Sequence, residues 1–173
     1  DALIAEYHKT RSEIERTIPG HRNLLCALKV VKDDVKAADA DGFPVTRPDA
    51  IVFPLCSGNL QQLLDKQAAD ALPVRDDEGL HVALEVLQAL SVLHSSDPVW
   101  VHRDISLRNL LYHERELSRR IVLGDFGMCK KCDAATQHTV VLKPTALDCA
   151  PEWANAAVEG KDVATYDDKV DIW

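Results

Sequence analysis

The sequence predicts an α+β fold, on two kinds of pattern. Residues 77–94 place Leu80, Ala83, Leu84, Leu87 and Leu90 three and four apart, the spacing of an amphipathic helix. Residues 50–55, Trp100-Val101, Leu110-Leu111-Tyr112 and Ile121-Val122-Leu123 are short apolar runs with the length of strands. At 173 residues, 46% apolar and 28% charged, the chain can bury a sizeable core and reads as one domain or one large piece of one.

The elements come in this order. Ala2, Leu3, Tyr7, Ile14 and Ile18 fall near one helical face, and Pro19-Gly20 stops that helix. Residues 24–32 are apolar enough for a strand. Residues 33–49 are polar, hold Gly42, Pro44 and Pro48, and read as a long connecting loop. Residues 50–55 form the next strand, and Cys56-Ser57-Gly58-Asn59 reads as a linker. A short helix begins at Leu60, and Pro73 breaks the stretch after it. Asp76 or Asp77 is placed to cap the long helix that reaches about His94.

The formal net charge of −8 argues weakly against nucleic acid or an anionic membrane as the main partner. No apolar run approaches the roughly 18 residues of a membrane span, and no secretory leader opens the chain. Five cysteines at uneven spacing point to a reduced, cytoplasmic setting. Cys129 and Cys132 form a Cys-x-x-Cys without a second pair, so plain loop thiols are expected rather than zinc. Lys130 and Lys131 would lower their pKa and make them oxidisable.

The chemistry concentrates between residues 101 and 127. His102-Arg103-Asp104 is followed by Asn109 five positions after the aspartate, and Asp125-Phe126-Gly127 comes sixteen residues later. An acid and an amide five apart on a loop can accept a proton and hold a metal side by side. A second carboxylate from the next hairpin completes a site for magnesium and phosphate, because magnesium takes few protein oxygens and shares the rest with phosphate and water. The flanking strand-like runs place these groups at strand ends and loops of a rigid scaffold.

With Ala150-Pro151-Glu152 added, this series resembles the eukaryotic protein kinase family. The resemblance implies a kinase-like two-lobed fold truncated at both ends, running from helix C to the opening of helix F at Asp171-Ile172-Trp173. Residues 1–55 would be the remainder of the small lobe and 56–173 the large lobe. It implies ATP and magnesium (Mg2+) as cofactors and a protein hydroxyl as substrate. Asp104 matches the aspartate that accepts the hydroxyl proton, and Asn109 and Asp125 match the metal ligands. Phe53 matches the residue behind the adenine pocket, Pro54, Leu55 and Cys56 would offer main-chain groups to adenine, and Leu111 would lie beneath the ring. His102 and Phe126 match a packed internal column. Glu13 is the nearest match to the helix C glutamate, with Glu6 and Glu15 as alternatives.

Departures are visible. Ser106 stands where the Ser/Thr branch usually has Lys, and Arg108 is more typical of the tyrosine branch. Pro144-Thr145 through Ala150-Pro151-Glu152 resembles the Ser/Thr pattern with Pro144 and Asp148 replacing Gly and Tyr, so the pattern favours Ser/Thr. Gly124, lacking a side chain, is expected to loosen the segment before Asp125. Arg103 matches an arginine that meets a phosphorylated loop residue, and Thr139 or Thr136 in mid-loop is the expected phosphate carrier, with Thr145 the poorest candidate. No Gly-rich loop or lysine strand precedes helix C, so the piece alone is expected to be inactive and to expose apolar surface. The alternative is a pseudokinase scaffold; retention of Asp104, Asn109 and Asp125 together favours the enzyme. The segment before Ala150-Pro151-Glu152 disfavours a small-molecule kinase.

Overall fold

A computed structural model of the chain describes residues 2–18, 20–31, 36–38, 44–46, 50–114, 119–132, 138–141, 150–161 and 163–173. Helix α1 spans Ala2–Thr17 and buries Ile14, while Ile18 is buried just past its end. The chain then runs beside a strand that lies a hundred residues on. Leu25 N–H donates to Leu123 O at 2.8 Å, and Leu123 N–H donates to Asn23 O at 2.8 Å, in a parallel bridge.

The expected strand over 24–32 is short: only β1, Lys29–Val31, is regular, and it pairs antiparallel with β4, Ala50–Val52. Between them, strands β2 (Lys36–Ala38) and β3 (Pro44–Thr46) pair antiparallel, where the sequence reads as loop. The polar composition hides a ladder this short, because three residues give no usable alternation.

Strand β5 (Gly58–Asn59) leads straight into helix α2 (Leu60–Ala69). Asn59 accepts from Gln62 N–H, and Gln62 returns a bond to Asn59 N–H, a reciprocal capping box. Helix α3 (Asp76–His94) begins after Arg75, so neither Asp76 nor Asp77 is the cap. Both lie in the first turn with Glu78, where three carboxylates complement the positive helix end. Of the apolar face read from the sequence, only Leu90 is buried; Leu80, Ala83, Leu84 and Leu87 are exposed, and the buried face is Glu85, Ala89, Leu90 and Leu93.

Strands β6 (Val99–Val101), β7 (Leu110–Glu114) and β8 (Arg119–Leu123) come next. β7 sits between β5 and β8 in an antiparallel sheet, and β6 pairs with β9 (Lys130–Cys132). The core gathers Leu90, Leu93, Trp100, Ile121 and Leu123 from α3 and these strands, and Phe126 from the 3-10 turn after β8. β10 (His138–Val141) pairs with β11 (Val163–Tyr166) beside helix α4 (Pro151–Val158). There Trp153 meets Tyr166 edge-on at 5.8 Å. The chain ends on a 3-10 turn, Asp168–Asp171. Among the described residues no helix is long and apolar enough to cross a membrane.

One buried carboxylate ties this frame together. Glu85 on α3 accepts from Arg22 at 2.7 Å, Asn23 Nδ2 at 3.0 Å and Ile121 N–H at 2.8 Å. A buried charge is tolerated when its oxygens are paired in this way, and removing one partner is costly. Glu85 therefore joins α3, the segment after α1 and strand β8, the strand that leads to Asp125.

Candidate active site

The structure brings three of the sequence-derived residues onto neighbouring connections. Strand β6 delivers His102, Arg103 and Asp104, and Asn109 ends the loop after them. Asn109 Nδ2 donates to Asp104 Oδ2 at 2.8 Å and to Asp104 O at 2.9 Å. Its main-chain carbonyl accepts from Gly124 N–H at 2.9 Å. Asn109 thus touches both the Asp104 loop and the residue before Asp125. Asp104 and Asp125 are solvent-exposed, so both carboxylates can be reached.

Asp125 has φ 55° and ψ 76°, the left-handed region that non-glycine residues avoid. Its Oδ1 accepts from Gly127 N–H at 3.2 Å, capping the 3-10 turn Phe126–Met128. Gly124 does not loosen this segment. It is buried, bonded at both N–H and C=O, and an added Cβ would lie 3.2 Å from Leu111 Cδ1 and 3.4 Å from Leu25 Cδ2. A side chain here would make Leu111 and Leu25 give way by a few tenths of an ångström.

His102 is wholly buried. Its Nε2 lies 3.0 Å from Gly124 O, and Nδ1 accepts from Asp104 N–H at 3.3 Å, which assigns the proton to Nε2. Its ring meets Phe126 edge-on at 5.3 Å. Burial pushes the imidazole pKa down, against the opposing pull of Asp171, Gly124 O, Asp104 and Asp125. The unfolded chain therefore binds a proton that the folded one refuses. His102's contribution to stability is present above the unfolded value near about pH 6.5 and is lost as pH falls below it. Thermal unfolding across that window is expected to show a falling midpoint on acidification. The fall should be shallower in His102→Phe; an equal slope in both proteins would remove His102 from the acid response.

Asp171, which the sequence reading places at the opening of helix F with no role in the site, belongs to it. Its side chain is fully buried, accepting from His102 N–H and Arg103 N–H at 2.7 Å each and lying 2.9 Å from His94 Nε2. Arg103 takes φ 67°, another left-handed non-glycine residue. Its guanidinium lies 5.5 Å from the Tyr166 ring, and Nε donates to Met128 O at 2.6 Å.

On the nucleotide side, Phe53 is half-buried against the core and Leu55 is 93% exposed, so its side chain has turned away from the protein. Pro54 and Cys56 are half-buried, with Cys56 Sγ 3.6 Å from His113 Nε2. Leu111 packs at the core edge against Gly124. On α1, Glu13 pairs with Lys131 at 2.8 Å, which holds its carboxyl below the usual range, and Glu15 pairs with Arg11. The side chain of Glu6 lies outside the described residues.

Cys129 corrects an expectation. It is buried, and burial raises its thiol well above the ordinary value, so it is not a readily oxidised group. Lys131, expected to activate it, is taken by Glu13 and lies 5.4 Å from the Trp100 ring. Thr136 and Thr145 lie outside the described residues. The backbone of Thr139 is not in a free loop but in β10, opposite Thr165.

The description of a protein kinase domain matches residues 10–173. The chain belongs to the protein kinase family. Among curated relatives it is 38% identical over 110 residues to the meiosis-specific serine/threonine-protein kinase MEK1 of Saccharomyces cerevisiae, covering 57% of this chain and 21% of that protein. It is 32% identical over 116 residues to dual specificity testis-specific protein kinase 1 of Mus musculus, covering 67% and 17%. It is 29% identical over 123 residues to calcium/calmodulin-dependent protein kinase type 1 of Caenorhabditis briggsae, covering 71% and 31%. This kinase-family chain thus spans about a sixth to a third of the length of these relatives.

Proposed function

We propose that this chain carries the phosphate-transfer residues of a serine/threonine protein kinase that uses ATP and magnesium. The observation that carries the reading is the double role of Asn109. Its amide N–H₂ is committed to Asp104, which leaves its carbonyl oxygen as the side chain's acceptor, and its backbone holds the residue before Asp125. The donor set fits a hard cation. Among the described residues no three His, Cys, Asp or Glu side chains converge, so one carboxylate and one amide would share the ion with phosphate and water.

In this reading Asp104 accepts the proton of the substrate hydroxyl and orients its oxygen. Asn109 holds that carboxylate in place and, with Asp125, would hold magnesium. Magnesium, when bound, supplies neutralisation of charge on the phosphoryl oxygens. The main chain at Pro54, Leu55 and Cys56 would meet adenine, with Phe53 behind it and Leu111 beneath it. The lobes divide near residue 55. Most of the rate comes from positioning and electrostatics, which suits a site whose two loops are joined through one amide.

Nucleotide affinity measured with and without magnesium tests this in the full-length protein. Asp125→Ala is expected to weaken magnesium-dependent binding by at least about 10- to 100-fold, since even outer partners of a bound metal are worth that much. Unchanged magnesium dependence would remove Asp125 from the metal. Tight nucleotide binding by the wild type with no transfer to any peptide would make the protein a binding module instead.

A further inference from the structure

We infer that Arg11 is a positioning residue for Asp125: its guanidinium, lodged between Phe53 and Phe126, sets how the Asp125-Phe126-Gly127 turn sits against helix α1. The functional consequence rests on the kinase reading above; the structural one does not.

Arg11 is 4% exposed, on a helix whose other described charged side chains reach water. Burying a guanidinium is costly unless it is paired. Part of the pairing is local. Nε and Nη2 donate to Glu15 Oε1 at 3.0 and 2.8 Å, and that oxygen also accepts from Ala27 N–H at 2.9 Å. Nη2 also donates to Leu25 O. These bonds anchor the head group to α1 and to the segment after it. The remaining contacts are aromatic. The guanidinium carbon is 4.6 Å from the Phe53 ring centroid and 5.5 Å from that of Phe126, within the roughly 6 Å reach of a cation over a ring.

Stability alone does not account for an arginine here. Nη1 is buried with no hydrogen-bond partner among the described residues, which is a cost. An apolar side chain of similar length would avoid that cost but leave Glu15 and Leu25 O without the donor they now have. What the cation adds is a fixed distance to Phe126. That ring continues to His102, and His102 bonds Gly124 O. Gly124 and Phe126 are the two neighbours of Asp125, whose left-handed backbone persists only while its surroundings hold it. Arg11 therefore stands at one end of a line of contacts that grips Asp125 from both sides, and the other contacts of α1 with the 126–128 turn run alongside it.

The test compares Arg11→Met with the wild type in the full-length protein. Amide exchange is followed by NMR at Gly127 and Cys129, whose N–H groups bond Asp125 Oδ1 and Phe126 O, and at Ile121–Leu123 as a reference. Arg11→Met is expected to unfold at a lower temperature, because it leaves Glu15 and Leu25 O without their donor, so the exchange is judged against the reference amides. Exchange at Gly127 and Cys129 should rise about tenfold while the reference amides hold, as for a local opening. Magnesium-dependent nucleotide affinity should weaken about tenfold, with magnesium-free affinity unchanged. Arg11→Lys, which keeps the charge but loses the planar fork, should show a smaller rise. Unchanged exchange at Gly127 and Cys129 in a folded Arg11→Met overturns the inference. Should Arg11→Met not fold, Glu15→Gln loosens the same anchor and is expected to raise the same two amides; no rise there overturns it equally. A wild type that binds no nucleotide with magnesium defeats the kinase reading, and the exchange data still decide the role of Arg11.

Discussion

On the kinase reading, Asp104→Asn in the full-length protein is expected to lower phosphoryl transfer to a peptide by about 10²- to 10⁴-fold, the usual worth of a positioned general base. The change is nearly isosteric. Asp104 accepts from Asn109 Nδ2 at 2.8 Å through a single oxygen, and the new amide can offer its own carbonyl oxygen to that donor. The main-chain bond from Asn109 to residue 104 is untouched. Loop geometry should therefore survive while the proton acceptor disappears. Nucleotide affinity should stay within about twofold of wild type, because the lost interaction belongs to the transition state and not to nucleotide binding. Steady-state kinetics on a peptide, with nucleotide binding measured in parallel, separates the two effects. Near-normal turnover in the variant would take Asp104 out of the chemistry.

The site is legible in the sequence where its order is local. Asp104 and Asn109 are five residues apart, and one loop brings an amide onto a carboxylate at that spacing. The periodicity announces helix α3 itself, but of the face it marks only Leu90 is buried, because spacing gives a helix and not which of its sides meets the core. The hidden part is polar, buried and satisfied from far away. Glu85 looks like any helix surface charge, yet its partners stand 63, 62 and 36 residues distant. Arg11 sits in a charged, mostly polar helix stretch and is buried because Phe53 and Phe126 close over it. Gly124 reads as slack because sequence shows a missing side chain and not the Leu111 and Leu25 methyl groups that fill its place. The cap of α3 lies one or two residues before its expected position because three acids in a row satisfy a capping rule and a first-turn rule alike.

Removal of Asp171 is expected to damage the same site through the backbone. Its two oxygens take His102 N–H and Arg103 N–H at 2.7 Å, and the side chain is completely buried. In Asp171→Ala both amides lose their acceptor, at about 1–3 kcal/mol for each buried donor left unsatisfied. His94 Nε2 loses its 2.9 Å partner as well. The larger consequence concerns Arg103, whose φ of 67° is a strained conformation worth about 1–3 kcal/mol that only over-determined surroundings maintain. With the carboxylate gone, Arg103 is free to relax towards ordinary backbone. Asp104, the next residue, then moves with it. A displacement of about 1 Å at a reacting group costs on the order of 10²-fold in rate, so turnover should fall by about that factor on top of the stability loss. Asp171→Asn separates the two contributions. It keeps one acceptor oxygen for one amide but turns an N–H₂ group towards the other, so it should sit between wild type and Asp171→Ala in both urea stability and turnover. Urea unfolding and peptide kinetics on the two variants give the answer. Wild-type turnover in a folded Asp171→Ala protein would mean that the left-handed turn at Arg103 is held by other contacts, such as its bond to Met128 O and the Tyr166 ring.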